Sequence, residues 1–171
     1  MIQSIEFRKA TLEDLPRALE LFREASRYLA SKSLSQWGYW QDPPMEKLEW
    51  VRQGFDQGEF FFVFDGNKDH IAMFRLMQHD MDYWDEKGLE PNVRYIHSLV
   101  IDRKYAGKGI GRMIVQKIID SAATHNFFKL RLDCDATNKQ LRSYYKSLGF
   151  EEVGEKTMPL SLNVLYEKSL I

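Results

Sequence analysis

The segment running Leu99, Val100, Ile101, Asp102, Arg103, Lys104, Tyr105, Ala106, Gly107, Lys108, Gly109, Ile110, Gly111, Arg112 constrains this chain more than any other. Val93 to Ile101 is rich in branched and aromatic residues, the mark of a strand, and Ile110, Met113, Ile114, Ile118 and Ala122 recur at helical spacing. A strand therefore leads through a glycine loop into a helix. Phe127 to Leu132 returns to strand, so the run forms a β-α-β crossover, a connection that joins parallel strands.

The loop has its own chemistry. Glycine lacks the Cβ that would keep a ligand off the backbone, and the first N–H groups of a helix have no internal acceptor, so they favour an anion such as a diphosphate. Lys108 and Arg112 add positive charge beside the same helix start. A tight turn that uses glycine only for geometry competes with this reading, but glycines at alternate positions weigh against it. A dinucleotide fingerprint would set G-x-G-x-x-G directly after the strand, whereas here five residues separate Ile101 from Gly107. The G-x-x-x-x-G-K-[ST] phosphate loop is absent as well.

Elsewhere, Ile2 to Arg8 alternates apolar and polar residues as a half-buried strand does. Thr11 or Asp14 can cap a helix with Pro16 in its first turn, and Leu15, Leu19, Phe22, Ser26 and Leu29 carry it to about Ala30. Pro43 and Pro44 open a short helix ending near Gly54. Phe60 to Phe64 and Ile71 to Met77 flank an Asp65-Gly66-Asn67 turn and read as a hairpin. Asp80 to Asn92 is acidic and irregular. Leu141, Tyr145 and Leu148 mark a last helix stopped by Gly149, and strands near Phe150 to Val153 and Asn163 to Tyr166 close the chain. The order βααβββαβαββ argues a mixed α/β (α+β) sheet with helices on both faces.

At 171 residues without linker or repeat, one domain over 1–171 is expected. A net charge of -1 and pI near 6.4 supply no field to draw nucleic acid or an anionic membrane. No apolar run approaches the roughly 18 residues that span a bilayer, the N-terminus has no signal-peptide character, and a lone Cys134 forms no internal disulfide. A cytoplasmic, soluble protein is expected. Cys134 reads as a buried strand thiol, and His70, His79 and His125 lack metal-ligand spacing, so no metal is expected.

The glycine segment resembles the acetyl-CoA loop of the GCN5-related N-acetyltransferase (GNAT) family, [RQ]-x-x-G-x-[GA], matched at Gly109 and Gly111, with Ala106 where the family carries Arg or Gln. Asn138, Leu141, Tyr145, Leu148, Gly149 and Phe150 resemble the family's closing N-x-x-A-x-x-x-Y-x-x-x-G-F, with Leu141 in place of Ala. The opening Phe7 to Asp14 is similar to the family's start. The resemblance covers nearly the whole chain and implies a mostly antiparallel sheet of six or seven strands with a splayed central parallel pair.

What the resemblance implies for chemistry is direct transfer of the acetyl group of acetyl-CoA to a primary amine. Pantetheine is expected along Leu99, Val100 and Ile101, with the Leu99 N–H as oxyanion donor. The diphosphate is expected on the amides of Gly107, Lys108, Gly109, Ile110, Gly111 and Arg112, and Asn138 is expected to contact the pantetheine arm. Tyr145 stands where the family places its general acid; the rival reading is packing, since Tyr145 lies on the apolar stripe with Leu141 and Leu148. For the base, His97 shares a strand face with Leu99, and Asp133 ends the next strand; the alternative makes His97 a satisfied core histidine and Asp133 a solvated strand-end acid.

The family builds its acceptor site from segments that here hold Trp37, Tyr39 and Trp40, then Asp80, Asp82, Tyr83, Trp84, Asp85 and Glu86. Aromatic faces beside carboxylates suit a cationic amine, and the competing reading is gap-filling tryptophans over solvated acids. A small-molecule amine is expected ahead of a protein N-terminus or lysine, with a homodimer allowed. The substituted Ala106 and Leu141 leave open a non-catalytic acyl-CoA sensor or scaffold.

Overall fold

The computed structural model describes residues 2–171. Seven strands, β1 (Ile5–Lys9), β2 (Phe60–Asp65), β3 (His70–Met77), β4 (Val93–Ile101), β5 (Lys129–Asp135), β6 (Glu151–Met158) and β7 (Ser161–Ser169), form one sheet in the order β1-β2-β3-β4-β5-β7-β6. Helices α1 (Leu15–Ser31), α2 (Met45–Asp56), α3 (Met81–Trp84), α4 (Ile110–Asp120) and α5 (Lys139–Ser147) complete it. The β4/β5 pair is parallel, while β1/β2, β2/β3, β5/β7 and β6/β7 are antiparallel, which is the mixed sheet the element order requires. No helix among the described residues is long and apolar enough to cross a membrane.

The residues fall into two compact units. The first comprises the chain up to Arg75 together with Ser98–Ile114. Its middle strand, β2, reads Phe-Phe-Phe-Val-Phe-Asp because both neighbours cover it, Phe7 opposite Val63 on one side and Phe62 opposite Met73 on the other. α1 begins where Asp14 accepts the Thr11 N–H at 2.8 Å and takes a two-bond contact from Arg8 at 2.9 and 3.0 Å, so both candidate capping residues take part. The buried stripe of α1 is Ala18, Leu21, Phe22 and Ser26, with Leu15 and Leu19 partly covered at its margin. Phe22 packs face to face on Trp40, ring centroids 3.9 Å apart, inside a core that also holds Val51, Phe60, Phe62, Met73 and Val100.

The second unit comprises Leu76–His97 and Val115–Ile171. The segment expected to be irregular contains a helical turn: Asp80 accepts from the N–H groups of Tyr83 and Trp84 and so caps α3, and a 3-10 turn over Asp85–Leu89 follows. Four helical residues are too few to show a periodicity. Arg131 pins this segment, donating to the Lys87 carbonyl at 2.9 Å and the Tyr95 hydroxyl at 3.0 Å while pairing with Glu90 and, at 2.8 Å, Glu167. Its guanidinium lies 4.6 Å from the Trp84 ring centroid. β5 also departs from its expected span. It starts two residues after Phe127 and continues to Asp135, because Asp133, Cys134 and Asp135 pair with Leu165, Val164 and Asn163 of β7.

Candidate active site

In the first unit, β4 ends at Ile101 and a 3-10 turn over Arg103–Tyr105 leads toward α4. Buried Asp102 forms the turn: one carboxylate oxygen accepts the Lys104 N–H at 2.9 Å, and the other accepts from the Arg17 guanidinium at 2.6 Å, which fastens the loop to α1. Gly107 and Gly109 have φ of 74° and 75°, the left-handed region that a side chain resists, and a Cβ placed on either would meet no protein atom within 4 Å. Backbone geometry therefore favours glycine, and the space beside the loop is open. The Gly109 carbonyl accepts the Met113 N–H at 3.1 Å, so the amides of Ile110 and Gly111 start α4 without a carbonyl one turn back. Exposed Lys108 and Arg112 flank them. An open backbone at a helix start beside two cations fits the diphosphate of coenzyme A. Upstream, Val100 points into the core while Leu99 and Ile101 are half-buried, the alternation of a strand. Ala106 offers only backbone.

In the second unit the two expected base candidates come together. The His97 Nε2 lies 2.7 Å from Asp80 Oδ2, and its Nδ1 lies 3.6 Å from Asp133 Oδ1. The imidazole is thus bracketed by two carboxylates whose side chains are 3% and 8% exposed. The Tyr83 ring covers it with centroids 5.2 Å apart. Asp133 accepts the Asn163 amide N–H at 2.6 Å, and Asn163 in turn accepts from the Ser161 hydroxyl at 2.6 Å. Burial pushes the Asp133 carboxyl above the usual carboxylate range, opposed by His97 and Asn163 and reinforced by Asp80. The alternative reading of Asp133 as a solvated acid at a strand end does not hold: continued pairing with β7 carries Asp133 inside the sheet. Parallel pairing of β4 with β5 covers Val93, Arg94 and Tyr95, and Ser98, beyond His97, takes a left-handed φ of 54° that breaks the pleat.

Tyr145 sits on α5 with 8% exposure, its ring against Tyr144, Phe150 and Tyr166. Burial first, and then the charges of Cys134 and Asp133, push its phenol far above its ordinary value. Asn138 is buried and caps α5, its Oδ1 accepting the Leu141 N–H at 3.0 Å, which accounts for an Asn at this position before any ligand is considered. Cys134 is buried beside Asp133, and its thiol is pushed up to about 12 by burial and the neighbouring carboxylate.

Among the aromatic candidates for the acceptor, Trp40 and Trp84 are 3% and 5% exposed and give their rings to the cores of their units. Trp37, at a left-handed φ of 66°, and Tyr39 are half-buried in the first unit, and Tyr83 is half-buried in the second. Asp85 is exposed and pairs with Lys156 at 2.5 Å. Sequence reasoning missed Asp80 as a partner of His97 and Asn163 as a partner of Asp133, because contacts across 17 and 30 residues leave no spacing to read.

The sequence profile of the acetyltransferase (GNAT) family matches residues 16–150. The chain is 25% identical over 149 residues to the uncharacterized N-acetyltransferase YesJ of Bacillus subtilis, spanning 85% of this chain and 81% of that one. Its fold is similar to a GNAT-family acetyltransferase of Listeria monocytogenes, with a TM-score of 0.78 at 19% identity over 96% and 94% of the two chains. It is also similar to the spermidine N-acetyltransferase of Vibrio cholerae solved with CoA and spermine, with a TM-score of 0.66 at 18% identity over 97% and 95% of the chains. A profile match across most of the chain, joined to the glycine loop and sheet described above, makes this protein a member of the GNAT acetyltransferase family.

Proposed function

We propose that this enzyme transfers the acetyl group of acetyl-CoA directly to the primary amine of a small molecule. The observation that carries the reading is His97 held between Asp80 and Asp133, a proton-accepting site on the strand that leads into the glycine loop. Acetyl-CoA supplies the activated acyl group. The amides of Gly107 to Arg112, with the charges of Lys108 and Arg112, hold its diphosphate, and Leu99 to Ile101 accompany its pantetheine arm. The Leu99 N–H serves as oxyanion donor.

An amine must be neutral to attack, so a base has to receive its proton, and His97 with Asp133 takes that role. Tyr145 returns a proton to the departing sulfur. Its raised pKa makes it a weak donor while Asp133 is ionised, and a proton arriving beside Asp133 removes part of the charge that holds the phenol up. Base and acid are thereby coupled. The half-buried Tyr83, whose ring covers His97, is the aromatic face offered to the amine. The likeness in fold to an enzyme crystallised with spermine supports a small amine as acceptor.

Thiol release from acetyl-CoA across a panel of polyamines, amino sugars, amino-acid derivatives and peptides tests the reading. Turnover with a small amine above that with any peptide is expected. Thermal stabilisation by CoA with no thiol release from any acceptor would instead make the protein a sensor.

A further inference from the structure

A chain of polar contacts runs from Ser161 to Tyr83 through Asn163, Asp133, His97 and Asp80. The Ser161 hydroxyl donates to the Asn163 carbonyl oxygen at 2.6 Å, which orients the amide so that its nitrogen donates to Asp133 Oδ2 at 2.6 Å. Asp133 Oδ1 is left facing His97 Nδ1 at 3.6 Å. On the other side of the ring, Asp80 Oδ2 lies 2.7 Å from His97 Nε2, and Asp80 Oδ1 accepts the Tyr83 N–H. Oδ2 is thus the Asp80 oxygen turned to the ring, while Oδ1 is engaged by backbone. A carboxylate oxygen 2.7 Å from Nε2 makes a hydrogen bond with it when that nitrogen carries the proton, which is the arrangement the contact favours.

Asp80 is itself held by backbone. Its N–H donates to the Gly88 carbonyl at 3.0 Å, and Gly88 packs so closely that a Cβ there would overlap the Asp80 carbonyl. Arg131 anchors the same segment through the Lys87 carbonyl and Glu90. The position of Asp80 is thus set by the fold and does not depend on the histidine it meets.

We propose that Asp80 is a positioning residue that locks His97 as the Nε2–H tautomer, so that the proton lost by the acceptor amine is received between His97 Nδ1 and Asp133 Oδ1. The inference rests on His97 acting as base in the proposed acetyl transfer. As the amine nitrogen bonds to the acyl carbon, its N–H bond breaks and that proton moves to the Nδ1/Oδ1 pair, while the thiolate leaving the acyl carbon takes a separate proton. Among the groups facing the imidazole are Asp80 from the start of α3, Tyr83 within α3 and Asp133 from β5. Two acceptor atoms facing each other repel unless one carries a proton, so the pair titrates as a unit and activity requires it empty.

The test combines kinetics with imidazole ¹⁵N NMR of the wild-type protein. Above the acidic limb of the rate profile, His97 is expected to show a protonated, pyrrole-type Nε2 and a pyridine-type Nδ1. In Asp80→Asn the anion that favours the imidazolium is gone, so the acidic limb moves to lower pH, and kcat falls by roughly 10- to 100-fold with the acetyl-CoA KM held within about twofold. Asp80→Glu, which restores the charge, recovers part of the loss. An Nδ1–H tautomer in the wild type, or an Asp80→Asn protein with unchanged kcat and an unmoved limb, overturns the proposal. The NMR reading decides the matter even where a variant does not fold. It also separates this proposal from the broader one: a wild-type protein that releases no thiol with any amine overturns acetyl transfer, whereas the tautomer bears on Asp80 alone.

Discussion

Gly109→Ala isolates what the glycine loop does. At φ 75° the new methyl forces a left-handed conformation that costs an L-residue about 1–2 kcal/mol, and with no protein atom within 4 Å of it there is no further clash. For a chain of this length each kcal/mol lowers Tm by about 2–4 °C, so a fall of about 2–8 °C is expected. That strain is present in free and bound protein alike and cancels in ligand affinity. Affinity should change for a separate reason: the methyl stands in the space from which a diphosphate approaches the backbone. Losing one amide bond to a charged oxygen costs about 1.5–3 kcal/mol, or roughly 10- to 100-fold in Kd. Gly58→Ala is the control, since Gly58 has φ 68° and only the flexible Lys9 side chain nearby. Calorimetry with CoA and thermal melts should show both variants losing similar stability and only Gly109→Ala losing affinity. Equal CoA affinity in the two would refute the assignment of the loop.

Tyr145→Phe should lower kcat by roughly 10- to 100-fold and spare acetyl-CoA affinity, because it removes only a proton donor from a ring that keeps its contacts; unchanged turnover in a steady-state assay would reduce Tyr145 to packing. Asp133→Asn should also lose turnover while gaining stability at high pH. The folded carboxyl titrates above its unfolded value, so the wild type binds the proton more tightly when folded and loses stability as pH rises through that window, whereas asparagine has no such slope. Melts from acid to alkaline pH should show the variant's relative advantage growing with pH, and a constant difference would count against a raised Asp133. Arg131→Met should destabilise the second unit by about 3 kcal/mol, since a nearly buried cation leaves two glutamates, a hydroxyl and a carbonyl without it; denaturant unfolding with a midpoint near wild type would show that solvent replaces it.

The sequence reveals elements wherever burial is uniform along them. β4 spans Val93–Ile101 as its branched and aromatic run requires, and β2 follows the aromatic cluster from Phe60 because both of its edges are paired. It misleads where polar residues serve the interior. Asp133 and Asp135 look like the end of β5, yet their backbone pairs with β7 and their side chains are buried. The same holds for the candidate site. Alternating glycines state their purpose locally, because positive φ is a property of single residues. The partnership of His97 with Asp80 is created by a helical turn and a backbone contact at Gly88, and no local pattern encodes either.

The seclusion of Cys134 has a practical result. It is the one cysteine in the chain, it is 3% exposed, and its thiol titrates near 12, so a disulfide reagent added to the folded enzyme meets almost no protein nucleophile. Colour formed during turnover then counts released coenzyme alone. Denaturation uncovers a single equivalent of sulfhydryl, so the same reagent doubles as a stoichiometric gauge of how much protein has come undone.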